Sequence, residues 1–187
     1  MVLHTASHDP FWNIATEEHL FNTAHEDEET LFLWRNAASV ILGRNQNPWK
    51  ECRLEEMETR GVALVRRHSG GGAVYHDLGN TNFSFVGPKS RHSKERNCSI
   101  LLAALRDPFG IPAELRGRND VVWGETKISG HAYKVCSWPS FFWLPSSSFK
   151  YTASNALHHG TLLREADMGV LAAVLSPHKA KLQSKVL

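Results

Sequence analysis

The stretch RRHSGGGAV, Arg66 to Val74, limits the folds open to this chain more than any other segment. Three glycines in a row cost backbone entropy on folding. A turn needs one or two, seldom three. Something therefore comes close enough to this main chain to exclude side chains. Successive backbone N–H groups can converge into a concave nest that holds an anion, and glycine permits the positive φ angles such a nest requires. Arg66 and Arg67 stand beside it, and a guanidinium can bind phosphate bidentately. The stretch is not a P-loop, because no Lys-Ser/Thr follows the glycines. It is not G-x-G-x-x-G, because Tyr75 stands where the last glycine belongs. On its own it fits an anion nest and a plain glycine-rich corner equally well.

The 187 residues suit one domain, and 42% of them are hydrophobic, enough for a sizeable core. A formal charge of +2 gives no electrostatic case for nucleic acid. No window reaches the roughly 20 apolar residues of a membrane span. Cys52, Cys98 and Cys136 are odd in number, widely spaced and without C-x-x-C, so neither a disulfide framework nor a zinc ribbon is indicated. The opening MVLHTASHDP lacks a leader pattern. Cytoplasm is the default expectation, with mitochondria the alternative for a eukaryotic source. Little room is expected for a strand before Asp9.

Asp9-Pro10 predicts a helix start, running to about Ala24 with Phe11, Ile14, Ala15 and Phe21 on its buried face. HEDEE, residues 25–29, reads as a solvated turn, and Glu17-Glu18 as a solvated helix face. LFLWR, SVILG and VALVRR predict short strands, NQNPW a loop, and Glu51 to Thr59 one charged helix. AVYH and TNFSFV flank DLGN and predict a hairpin. Cys98 to Leu105 is helical. VVW and TKISG around Gly124-Glu125 predict a second hairpin. HHGTLL is a further strand, and Glu165 to Leu175 a closing helix. Antiparallel strands outnumber helices, so the expected class is α+β.

Three further features bear on chemistry. GRND, Gly117 to Asp120, pairs an amide with a carboxylate, suited to ribose hydroxyls or to a simple turn. ETKISG sets Lys127 on a strand beside glycine, where an inward lysine needs an anion and an outward one is ordinary. His158-His159 cannot chelate one ion together, because neighbours on a strand point to opposite faces. No metal site is expected. Trp34 fits either a pocket wall or a core tryptophan.

Taken together, LFLWRNAASVILGRNQNPWKE, RRHSGGGAVYHDLGNTNFSF, GRNDVVWGETKISGHAY and HHGTLL closely resemble the lipoate–protein ligase A family over nearly the whole chain, from about Ser7 to Lys185. The resemblance implies a biotin-ligase-like α+β catalytic domain, with mixed or antiparallel sheet and flanking helices. It implies lipoate or octanoate and Mg²⁺-ATP as substrates, an acyl-adenylate intermediate, and transfer to a lysine of apo lipoyl domains of 2-oxoacid dehydrogenase complexes or the glycine cleavage H protein. By the same analogy Arg67 and the backbone of Gly72, Ala73, Val74 and Tyr75 hold nucleotide and activated carboxyl. Asn119 and Asp120 meet the nucleotide. Lys127 contacts both the lipoate carboxyl and the α-phosphate. Trp34, Ser69 and His76 line the lipoate pocket. Two departures stand out. Members performing both half-reactions continue beyond this length, so 1–187 reads as a single domain incomplete at its C-terminus. Val135 to Ala156 replaces a short connector and is expected to loop out, poorly ordered, as an unusual insertion or translated intron.

Overall fold

The computed structural model describes residues 1–117, 120–135 and 155–176, without the side chains of Tyr133 and Val135. Two sheets share the chain. The larger has seven strands: β1 (Val2–His4), β2 (Thr30–Trp34), β6 (Asn80–Pro88), β10 (Asn155–Leu163), β9 (Thr126–Val135), β8 (Asp120–Trp123) and β7 (Glu114–Arg116), in that spatial order. The smaller places β3 (Ser39–Leu42) between β4 (Ala63–Arg66) and β5 (Ala73–His76). The pairs β1–β2 and β3–β4 are parallel and the others antiparallel. The expected α+β class is present, with mixed sheets flanked by helices. A strand does fit before Asp9: β1 needs only three residues, pairing Val2 with Leu31.

Helix α1 (Pro10–Thr23) starts where the sequence marks it. Asp9 Oδ1 accepts from the N–H groups of Phe11 and Trp12, at 2.8 and 3.2 Å, and Pro10 occupies the first turn, where its missing N–H costs nothing. Its buried stripe is Pro10, Asn13, Ile14, Glu17 and Phe21. Phe11 and Ala15, expected inside, are exposed. They lie one residue off the stripe, a rotation of about 100°. Glu17, expected in solvent, is 4% exposed.

Four other differences are local. The predicted helix over Glu51 to Thr59 is two helices, α2 (Pro48–Glu51) and α3 (Leu54–Thr59), parted at Cys52-Arg53. Asn47 caps α2 by accepting from Trp49 N, so the NQNPW loop ends earlier than expected. Helix α4 (Lys94–Phe109) overruns Cys98 to Leu105 at both ends, from the Ser93 cap to a left-handed Gly110. Helix α5 (Met168–Val174) begins only after its Asp167 cap.

The larger correction concerns DLGN. Strands β5 and β6 do not form a hairpin: β5 pairs with β3 in the small sheet, while β6 pairs with β2 and β10 in the large one. Asp77 to Gly79 is a crossover. Asp77 accepts from Gly79 N (2.9 Å) and Asp167 N (2.7 Å), and the Gly79 carbonyl accepts from Arg164 N and Glu165 N. The crossover thus holds the end of β10 and the start of α5. The β8–β9 hairpin forms as expected, with Gly124 at φ 57°.

The two sheets meet around α1. Ile14 packs with Phe32 and Trp34 of β2, Ile41 of β3 and Val65 of β4. The other side of the small sheet is covered by α3 and α5, through Val40, Leu42, Met57, Tyr75 and Val174. Among the described residues no helix is long and apolar enough to cross a membrane. Residues 136–154 and 177–187, including Cys136 and most of the expected insertion, lie outside the described residues.

A Cβ at Gly79 would sit 2.2 Å from the Glu165 carbonyl oxygen, a backbone atom that cannot yield. Gly79→Ala is expected to lower stability by roughly 1–3 kcal/mol, the scale of overpacking. Gly70→Ala, with no atom within 4 Å of the added carbon, is expected to stay within about 0.5 kcal/mol. Urea titration of both variants checks the pair.

Candidate functional site

The glycine loop is built from behind by Arg67. This side chain is 5% exposed. Its Nη1 donates to the Ile41 carbonyl (2.8 Å), its Nη2 to the carbonyls of Gly70 (2.7 Å) and Gly72 (3.0 Å), and its Nε to Ser69 Oγ (3.0 Å). The Ser69 carbonyl accepts from Arg44 N, and the Gly72 carbonyl from Gly43 N. A Cβ on Gly43 would lie 1.9 Å from the Gly71 oxygen, and one on Gly71, at φ 100°, would lie 2.6 Å from Arg67 Nη2. Gly43 and Gly71 are therefore required by the protein's own packing. Arg66, in contrast, is exposed and donates to the carbonyls of Gly43, Arg44 and Gln46, closing the neighbouring turn.

The carbonyls of residues 69 to 72 all turn inward, to Arg44 N, Arg67 and Gly43. A trans peptide sets each carbonyl opposite the next N–H, and no described peptide is cis. The N–H groups of Gly70, Gly71 and Gly72 consequently face the other way, where Gly70 and Gly71 are exposed.

A buried hydrogen-bonded chain anchors this loop to the large sheet. Trp34 Nε1 donates to Ser84 Oγ (3.1 Å), and Ser84 Oγ donates to Glu17 Oε1 (2.5 Å). The same Glu17 oxygen lies 2.8 Å from His159 Nδ1, and His159 Nε2 lies 2.8 Å from Ser69 Oγ. An ionised carboxylate only accepts, so His159 donates from Nδ1. Nε2 meets Ser69 Oγ, which itself accepts from Arg67. Glu17 is thus the acceptor in which the bonds from both Ser84 and His159 end.

The electrostatics agree with that direction. Burial pushes the Glu17 carboxyl up, but the His159 charge, hydrogen bonds from His159 and Ser84, and the Arg67 charge outweigh it, leaving the group below its ordinary value. Burial brings the Arg67 guanidinium down to about 10, opposed by Glu17, so it stays charged at neutral pH. The two charges are buried together and satisfied by hydrogen bonds, the condition under which buried ions are tolerated.

Trp34 is 3% exposed and carries its indole against His76, centroids 5.8 Å apart. His76 Nδ1 lies 3.3 Å from Asn36 Nδ2, and Asn36 Oδ1 accepts from Asn13 Nδ2 at 3.0 Å. Since the amide donates, Nδ1 of His76 accepts. Tyr75 turns its ring into the small-sheet core, where burial and the nearby carboxylates of Asp77 and Asp167 push its phenol up to about 12.

Lys127 is exposed on β9, and its Nζ pairs with Asp120 Oδ1 at 2.5 Å across the hairpin. Its side chain lies over Gly130, where an added Cβ would come within 3.3 Å of Nζ. Gly130 faces Thr161 of β10, two residues beyond His159. The sequence-predicted residues thus fall into two groups, Arg67–Ser69–Gly72 with Trp34 and His76, and Lys127 with Asp120. Strand β10 runs between them. Asn119 lies outside the described residues. Glu17, Asn36, Ser84 and His159 were not singled out as site residues. The one sequence signal for Glu17 was its place on the α1 stripe with Ile14 and Phe21.

A family model described as the lipoyl protein ligase A/B catalytic domain matches residues 9–187. The chain is 47% identical over 184 residues to a lipoate-protein ligase A of Psychrobacter cryohalolentis, covering 98% of this chain and 49% of that protein. The structure resembles that of P. falciparum LipL1 in complex with lipoate, with a TM-score of 0.79 and 35% identity, covering 96% of this chain and 52% of that one. It also resembles a lipoate-protein ligase A bound with ATP, with a TM-score of 0.76 and 26% identity, covering 100% and 74% of the two chains. The chain spans about half the length of the curated relative it matches.

Burial holds His76 down at about 3, with the Arg67 charge adding to the effect. The unfolded chain takes up that proton near 6.5, so the folded state carries the deficit between these values. Stability is expected to be full above about pH 6.5 and to fall as pH drops toward 3, by roughly 1.4 kcal/mol per pH unit for this one proton. Glu17 adds loss of the same sign only below its ordinary value of 4.5. Urea midpoints at pH 7, 6 and 5 check this, and His76→Gln should lower the slope by about one proton's share, leaving that of His131 and His158, which burial also holds down; an unchanged slope would contradict it.

Proposed function

The chain belongs to the lipoyl protein ligase A/B catalytic-domain family, and on that premise we propose that it activates lipoate or octanoate with Mg²⁺-ATP and passes the acyl group to a lipoyl-domain lysine. In the first step a carboxylate oxygen attacks the α-phosphorus. The bond to the bridging oxygen breaks and pyrophosphate leaves with the electron pair. In the second step the neutral lysine amine attacks the acyl carbon. The acyl–oxygen bond breaks, AMP leaves, and the amine proton passes to solvent.

The observation that carries this reading is the glycine loop, with its carbonyls gripped from behind and its N–H groups of residues 70 to 72 turned outward. Such amides stabilise phosphate and acyl oxygens as charge gathers on them, with little reorganisation at the moment of reaction. Arg67 then acts through the loop. It fixes Gly70 and Gly72 and places a positive charge beneath them. Gly72, Ala73, Val74 and Tyr75 contribute backbone, since the Tyr75 ring is in the core. Ser69 is the joint between the loop and His159. Trp34 and His76 form one wall of the acyl pocket, held in place by Ser84 and Asn36.

Lys127 is the residue proposed to meet the α-phosphate and the lipoate carboxyl, with Asp120 and Asn119 toward the nucleotide. Its Nζ is partly solvated and already paired with a carboxylate, so exchange for a phosphate oxygen requires no large desolvation. A cysteine-thioester transferase is less well supported. Among the described residues the cysteines are Cys52 and Cys98, 4% and 1% exposed, and burial beside Glu51 pushes the Cys52 thiol up. A nucleophilic cysteine needs the opposite setting.

The test is incubation of the full chain with ATP, Mg²⁺, lipoate and an apo lipoyl domain, following pyrophosphate and acceptor mass together. Both signals support a complete ligase. Pyrophosphate alone supports the adenylation half and removes the transfer half. Acceptor modification from premade lipoyl-AMP without pyrophosphate release from ATP overturns the ATP step. Lys127→Ala is expected to lower the pyrophosphate rate by about 10²–10³-fold, as loss of one charge-stabilising donor does; unchanged turnover removes Lys127 from the site.

A further inference from the structure

His158 and His159 part to opposite faces of β10. His159 reaches the glycine loop. His158 meets a different group on the far face. His131 on β9 brings Nδ1 to 3.0 Å from His158 Nε2, and Cys98 on α4 brings Sγ to 3.9 Å from the same Nδ1. The three ligand atoms all lie within 4.8 Å of one another, and the three residues are 1%, 8% and 0% exposed. Among the described residues no other group of three potential ligands is so gathered.

The chemistry of this set is specific. One thiolate and two imidazoles match a borderline-soft divalent cation, Zn²⁺ above all. Tetrahedral zinc with bonds of about 2.0–2.3 Å separates its ligand atoms by roughly 3.3–3.6 Å. The imidazole pair, at 3.0 Å, is slightly tighter than that, and Cys98 Sγ, at 3.9 Å from His131 Nδ1, is slightly wider, so side-chain rotations bring the set to the ion. The surroundings have the features of a supported site. His131 Nε2 lies 3.0 Å from Ser129 Oγ, which fixes the ring with Nδ1 toward the cluster. Phe83 sets its edge against both imidazoles, and Phe85 stacks on His158 at 5.9 Å. Asn97, the neighbour of Cys98, is 1% exposed, and neither its Nδ2 nor its Oδ1 has a hydrogen-bond partner among the described residues. It lines a cleft of about 460 Å³ with Phe85 and His92, and the His92 ring lies 6.3 Å from that of His158.

We propose that Cys98, His131 and His158 form a Zn²⁺ site that ties α4 to β9 and β10, with water in the fourth position. The site is on the opposite face of β10 from the proposed adenylation loop and is independent of that function. It fastens a helix to two central strands, a structural role.

Cobalt reports such a site directly. The full chain, stripped of metal by chelation and dialysis, is titrated with Co²⁺ and then Zn²⁺. Expected are one Co²⁺ per chain, a thiolate-to-cobalt band in the near ultraviolet, tetrahedral bands in the visible, loss of all bands on adding Zn²⁺, and a higher Tm with zinc. Cys98→Ser and His131→Asn should abolish the thiolate band, while Cys52→Ala, in the small-sheet core, should keep it. Absence of the band in folded wild type, or its survival in Cys98→Ser, overturns the proposal. Should the variants fail to fold, X-ray absorption on zinc-loaded wild type decides: one sulfur in the first shell supports the site, and a shell of nitrogen and oxygen alone refutes it.

Discussion

The structure depends on one buried carboxylate. Glu17 sits on α1 between the two sheets and collects hydrogen bonds from Ser84 of β6 and His159 of β10. Through Ser69 it is linked to Arg67, whose guanidinium holds the carbonyls of both sheet and loop. An isolated buried carboxylate would be driven neutral, and an isolated buried guanidinium would be strongly unfavourable. Each ion is acceptable because the other is present and because serine and histidine fill the space between them with oriented dipoles. The interaction fixes three relations together: where α1 lies, how the small sheet meets the large one, and which way the glycine loop turns.

That last relation bears on the glycine run. Packing around the loop excludes side chains at two positions: the Gly71 carbonyl rests on Gly43, and the Arg67 guanidinium rests on Gly71. Gly70 meets nothing within 4 Å, so its lack of a side chain leaves the outer surface open. One end of the requirement is structural and the other faces solvent. An arginine next to a glycine run suggests a ligand contact. Here its donors go to the loop's own backbone, and the outward amides are a consequence.

Features carried by neighbouring residues were legible in the sequence. The Asp9-Pro10 start, the Gly124 hairpin and strands β2, β3 and β10 each depend on local capping, turn chemistry or β-branched runs. The α+β class followed from them. What was not legible depends on contacts between distant segments. DLGN has the composition of a hairpin turn, yet Asp77 and Gly79 bond to residues 164–167, some 90 positions away. The same local turn serves a hairpin or a crossover, and only the pairing partners of β5 and β6 decide. Glu17 reads as solvated because acidic helix residues usually are, and its partners Ser84 and His159 are 67 and 142 residues distant. The SGGGAV and KISG motifs pointed to candidate residues, whereas the burial of Arg67 and the pairing of Lys127 with Asp120 required coordinates.

Strand β10 shows how one segment serves two polar groups without mixing them. Side chains alternate between faces along a strand, so His158 and His159 are adjacent in sequence and separated by the sheet. His159 completes the chain of bonds to Glu17, and His158 meets His131 and Cys98 under α4. Gly160 follows at a tight place in the sheet: a Cβ there would lie 2.6 Å from the Phe83 ring and 2.7 Å from the Gly130 carbonyl. Any side chain at 160 would push β10 away from both neighbours, and a shift of that kind would reach both histidines. The HHG triplet is thus one constraint read three ways: a ligand-like imidazole on one face, a loop anchor on the other, and a glycine that keeps the strand close enough for both.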